Sequence, residues 1–132
     1  MKEVLTVNVK ITKFDEVKGK SGEACMIHFE GDATGEYFNG IILPGGVDTQ
    51  KEINGTGRNL SARYILEGKD YKDNECHIFI ENNGCFDDKG NIVTKPIILT
   101  DSEALQFLEE KELTGTISDL PGGVQIHLWM ED

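Results

Sequence analysis

Apolar and polar residues alternate along most of this chain with a period of two, the signature of strands buried on one face. The first clear run is VLTVNVKIT, residues 4–12. There Leu5, Val7, Val9 and Ile11 share one side, and Thr6, Asn8 and Lys10 the other. Residues 24–30 repeat the pattern, with Cys25, Ile27 and Phe29 against Met26, His28 and Glu30. Further strands are expected over 37–43, 60–66, 76–82 and 92–99, with a closing hairpin of 113–118 and 124–130. The connections carry turn chemistry: Gly31 to Gly35, Pro44-Gly45-Gly46, Asn54-Gly55, Asn83-Gly84, Asp87 to Asn91 and Leu120 to Gly123. The polar stretches 15–23, 47–57 and 68–74 read as loops. Pro96 lacks an N–H for a ladder, so its strand is expected to be an edge or bulged.

One segment has helical spacing instead. Thr100 and Glu103 are placed as a capping box, with Asp101 and Ser102 as competing caps. Ala104, Leu105, Phe107 and Leu108 then cluster on one face of a helix of about ten residues. Alone it is too short to hold in water, so it must pack on the sheet. About eight strands, Gly-rich turns and no internal repeat predict one antiparallel barrel or sandwich over residues 1–132. A barrel also leaves no exposed edges.

Charge narrows the partners. Thirteen basic against twenty-four acidic residues give a net charge of −11, which repels phosphate backbones and anionic lipid heads. No nucleic-acid or membrane partner is expected. No signal peptide or membrane span is visible, and Cys25, Cys76 and Cys85 lack metal-ligand spacing, so they read as strand cysteines of a reducing cytoplasm. His28, His77 and His127 would hold a metal only if the barrel brought them together, and nothing in their spacing requires it. No metal or cofactor is indicated.

The informative polar residues interrupt apolar strands. Glu30, Arg63, Glu81 and Asn82 are such positions, and Asp48 and Gln50 follow the Pro-Gly-Gly corner. If Arg63 faces inward it needs a carboxylate, and Asp48 is the favoured partner. Alternation with Leu60, Ala62 and Tyr64 equally allows Arg63 to point outward.

The run Leu43-Pro44-Gly45-Gly46-Val47-Asp48-Thr49-Gln50, with Phe29 and Gly31 before it and Ala62-Arg63-Tyr64 and Ile78 to Gly84 after it, is specific. In this order it resembles the uncharacterised family known as domain of unknown function 3237, of which this chain looks like a compact, divergent member. The resemblance implies a small antiparallel β-barrel similar to calycin-like and allene-oxide-cyclase-like barrels, with no established activity. It carries over Asp48, Gln50, Arg63, Tyr64 and Asn82, together with the corner residues Pro44, Gly45, Gly46 and Gly84.

Three readings of function follow. The first is a barrel binding a small organic carboxylate or carbonyl compound, with Gln50, Tyr64 and Asn82 as ligand-binding residues. The second is a cofactor-independent isomerase, cyclase or hydratase, with Asp48 as general acid/base and Arg63 holding an anion. In the third, Asp48–Arg63 is a structural clip. By analogy with other small barrels, a homo-oligomer is expected.

Overall fold

A computed structural model describes residues 1–86 and 89–131. Among these residues nine strands form one antiparallel sheet: β1 Lys2–Lys18, β2 Gly22–Thr34, β3 Phe38–Ile42, β4 Val47–Ile53, β5 Arg58–Asp70, β6 Glu75–Phe86, β7 Ile92–Thr100, β8 Leu113–Leu120 and β9 Gly123–Met130. The sheet runs β1-β9-β8-β7-β6-β5-β3-β2, and β2 pairs back onto β1, which closes the barrel. Strands β3 and β4 occupy one place in that ring. Each lies between β2 and β5, β3 towards one end and β4 towards the other. No helix among the described residues is long and apolar enough to cross a membrane.

The period-two reading of the inner face holds in detail. Val7, Val9, Phe29, Leu60, Tyr64, Leu66, Ile78, Ile80, Ile126 and Leu128 are buried. Each fully buried aliphatic side chain contributes roughly 1.5–3 kcal/mol. Val4 and Leu5 are buried side by side because the β1–β9 register slips between Glu3 and Leu5, and that bulge resets the alternation.

Several expected loops are strand. Residues 15–18 and 22–23 continue a β1–β2 ladder out to Lys18↔Glu23, so the connection shrinks to residues 19–21. Their charges reported solvation on both faces, which does not prevent a ladder: Phe14 and Val17 are exposed there too. Likewise Gly31 to Thr34 belongs to β2, and 47–53 is β4, whose side chains are mostly half-buried despite their polarity. The break at 68–74 contracts to 71–74, and β6 runs through Asn83-Gly84 to Phe86. The turn expected at Asp87 to Asn91 lies partly outside the described residues.

The ten-residue helix is also shorter than its spacing promised. A 3-10 turn, Glu103–Leu105, is followed by one helical turn, α1 Phe107–Glu110. No side chain caps either turn. Ser102 Oγ donates instead to Asp70 Oδ2 at 2.8 Å, and Thr100 Oγ1 donates to the His77 carbonyl at 2.7 Å. Leu105 and Leu108 are nevertheless buried with Val4, Phe38 and Leu113, and they plug one end of the barrel. Strand β7 runs unbroken through Pro96. Among the described residues it pairs with β8 at Thr94↔Gly115 alone, which makes it nearly the edge that a proline requires.

Candidate functional site

The Pro-Gly-Gly corner passes the chain from β3 to β4. Gly45 has φ +111°, a region that favours glycine. At Gly46 a side chain would press its Cβ to 2.9 Å from the Phe29 ring. The corner therefore fixes where β4 starts, and β4 then alternates Asp48 and Gln50 inward. Asp48 is in register with Ile27 and Ala62, and Gln50 with Cys25 and Leu60.

These residues face a cavity of about 140 Å³ in the half of the barrel opposite the plug. Its wall is mostly apolar, formed by Val9, Ile11, Phe29, Leu60, Ile117 and Ile126 among others, with Asp48, Gln50, Asn82 and Thr94 as its polar members. That volume is close to the ~150 Å³ of an apolar cavity that takes one benzene ring.

Four buried polar atoms have no hydrogen-bond partner among the described residues: Asp48 Oδ1, Asn82 Oδ1, Thr94 Oγ1 and Tyr64 Oη. The first three belong to residues that line the cavity. Asp48 is held through its other oxygen, which accepts from Gln50 Nε2 at 3.0 Å. Burial pushes its carboxyl above the usual range, opposed by the Gln50 amide and the Ser61 backbone N–H. Gln50 is oriented in turn by Arg58, whose Nη1 donates to Gln50 Oε1 at 3.4 Å. The Arg58 guanidinium is clamped by Glu23 and by Glu52.

Arg63 does not join this group. It is opposite Val47 in the ladder, one residue out of phase with Asp48, so the pleat turns it to the outer face. There it is 60% exposed and pairs with Glu81, Nε to Oε2 2.9 Å. Asp48 and Arg63 therefore do not pair, neither as a clip nor as a catalytic couple. Glu81 and Glu30 are likewise not cavity residues; Glu30 is exposed. Gly84 is no corner residue but sits within β6, paired with Leu60 and Thr94. Tyr64 is buried edge-on against Phe29, ring centroids 5.4 Å apart, and its phenol is pushed up by burial.

The histidines lie apart on the outer surface, each with its own carboxylate: His28 with Asp15, His77 with Asp101 and Glu67, His127 with Glu3. Sequence reasoning missed Thr94, Arg58 and the role of Ala62. Strand β7 carries apolar residues on both faces, with Ile97 and Leu99 exposed, so alternation gave Thr94 no direction.

Comparison with known proteins places this architecture. The model of a family described as Protein of unknown function (DUF3237) matches residues 1–130. A UPF0311 protein of Clostridium acetobutylicum is 33% identical over 87 residues, which is 62% of this chain and 51% of that protein. The match thus spans about half the length of that curated relative. A crystal structure of a protein with unknown function from Clostridium acetobutylicum superposes with a TM-score of 0.83 at 26% identity, covering 99% of this chain and 98% of the other. The barrel also matches a beta-barrel like protein of Acinetobacter baumannii, with TM-score 0.74, 15% identity and coverage of 98% and 93%. An enzyme of Penicillium herquei shares the fold at TM-score 0.75 and 13% identity, with coverage of 98% and 92%.

Proposed function

The chain belongs to the DUF3237 family, and from that premise we propose that its barrel binds a small organic molecule in the cavity around Asp48, Asn82 and Thr94. One observation carries the reading: three buried side-chain polar atoms without partners among the described residues belong to residues lining a mostly apolar cavity. Leaving a buried polar group unpaired costs about 1–3 kcal/mol each, so a fold gains nothing by keeping three of them. A ligand with hydrogen-bond donors offsets that cost. Ordered water fits the same atoms, and the test separates the two.

The ligand is of single-ring size, smaller than the drug-sized compounds that ordinary pockets enclose. A carboxylate anchored by Arg63 is disfavoured, because that guanidinium is on the outer face. A carbonyl compound is accommodated through the Thr94 hydroxyl or the Asn82 amide.

The experiment is thermal unfolding against small ring alcohols, amines, ketones and carboxylic acids, with Thr94→Val and Asn82→Leu in parallel. Bound ligand raises stability by about 2.7 kcal/mol at a hundred times Kd. A chemically coherent set of hits, weakened in both variants, is expected. Hits that the variants leave untouched, or no hits at all, would contradict the reading.

A second reading is favoured by Asp48 itself. A half-buried carboxyl with raised affinity for its proton and one buried, bare oxygen is the form of a general acid/base. An isomerase, cyclase or hydratase would then rest on Asp48 with Asn82 and Thr94, without Arg63. We also propose that the protein is a homo-oligomer, which sedimentation measures. The exposed outer-face residues Ile65 and Leu99, in line through Phe79, are apolar surface for a second copy to cover.

A further inference from the structure

Resting on the binding reading above, we propose that the ligand is a small organic amine, bound as its ammonium ion, with Asp48 as its counter-ion, in the cavity that Asn82 and Thr94 also line. Asp48 Oδ1 and Asn82 Oδ1 are acceptors, and the Thr94 hydroxyl accepts or donates. A primary ammonium brings three N–H donors, a hydroxyl brings one, and a carboxylate brings none.

Charge points the same way. Among the described residues that line the cavity, Asp48 is the one charged side chain. The nearby guanidinium of Arg58 is held by Glu23 and Glu52 and donates to the side-chain oxygen Oε1 of Gln50, not to Asp48, among the described hydrogen bonds. Among the described residues Asp48 therefore lacks a counter-ion of its own, and a half-buried carboxylate without one is disfavoured. An entering cation removes that cost, whereas an entering anion adds to it. Around the site, two carboxylates on one guanidinium leave a net negative charge, and the whole chain at −11 draws cations towards it. The apolar wall, of single-ring size, takes the rest of the molecule.

Three single-ring probes separate the possibilities: benzylamine, benzyl alcohol and benzoate, titrated calorimetrically into the full chain at neutral pH. Benzylamine is expected to bind about tenfold or more tightly than benzyl alcohol, and benzoate not measurably. In Asp48→Asn the benzylamine preference is expected to collapse while benzyl alcohol binding changes by no more than about threefold. Ala62→Leu, which fills the space beside Asp48, is expected to abolish binding of both.

Benzyl alcohol binding as tightly as benzylamine would overturn the amine and leave the binding reading standing. Benzylamine binding unchanged in Asp48→Asn or in Ala62→Leu would put the amine elsewhere and overturn the inference. No binding by any of the three probes would count against both.

Discussion

Asp48 and Asn82 stand level with each other on the inner wall of the barrel, each in register with Ala62 between them. Two strand spacings separate their backbones by about 10 Å. Ala62 contributes only a methyl group at that level, and the cavity lies over it, with Asp48 and Asn82 both in its lining. The site is thus made as much by a small residue as by polar ones.

Ala62→Leu tests this directly. The larger side chain has a cavity to enter, so stability is expected to change by less than the ~1–3 kcal/mol of ordinary overpacking. Ligand stabilisation is expected to vanish. Thermal unfolding with and without ligand checks both at once, and retained ligand stabilisation would disprove the placement.

Gly115 tests the far side of the cavity. A Cβ there would collide with Thr94 Oγ1 and come to 3.4 Å from Asn82 Nδ2. Gly115→Ala is expected to destabilise by about 1–3 kcal/mol. In a Thr94→Ala background most of that loss is expected to disappear, because the atom that is struck has gone. Denaturant unfolding of the four proteins gives the coupling energy, and additive losses would refute the contact.

The pH dependence of Asp48 has a definite sign. Burial holds its folded pKa above the unfolded value of about 3.9. Its contribution to stability is therefore full below that unfolded value and is lost as pH rises through the raised folded one. Asp48→Asn is expected to gain stability relative to wild type as pH rises through that window. Asp70 runs the opposite way. The Ser102 hydroxyl, with the backbone N–H groups of Asn74 and Lys72, holds its carboxyl low. Asp70→Asn is expected to lose stability at neutral pH, with the deficit shrinking as pH falls through the folded value. Melting curves from pH 3 to 8 decide both signs.

Arg63→Met is expected to leave the melting temperature within a few degrees of wild type, since an exposed pair with Glu81 contributes little. It is also expected to leave ligand stabilisation unchanged. A large melting-point drop would contradict the small weight given to this exposed pair.

The barrel was legible because inner faces such as Leu60-Ala62-Tyr64-Leu66 alternate cleanly, and the corner because Pro44-Gly45-Gly46 has few conformations open to it. Asp48, Gln50 and Asn82 were legible as polar residues beside that corner. Strand β4 was not, because its sequence VDTQKEI lacks the apolar face by which strands are recognised. The reason is structural: its inner side chains line a partly polar cavity and an ion cluster instead of a dry core. Arg63 was ambiguous because choosing its face needs the register of β4 against β5, and no local pattern carries that. The helix was overestimated because the hydroxyls of Thr100 and Ser102, ideal caps on paper, are committed to His77 and Asp70 far away in sequence.

The most direct test of a ligand site at Asp48 is NMR observation of its carboxyl carbon during titration with benzylamine and with benzyl alcohol. The Asp48 signal is expected to titrate above the usual carboxylate range in the free protein and to shift saturably on adding at least one probe. An Asp48 carbon that titrates normally and is moved by neither probe would contradict it.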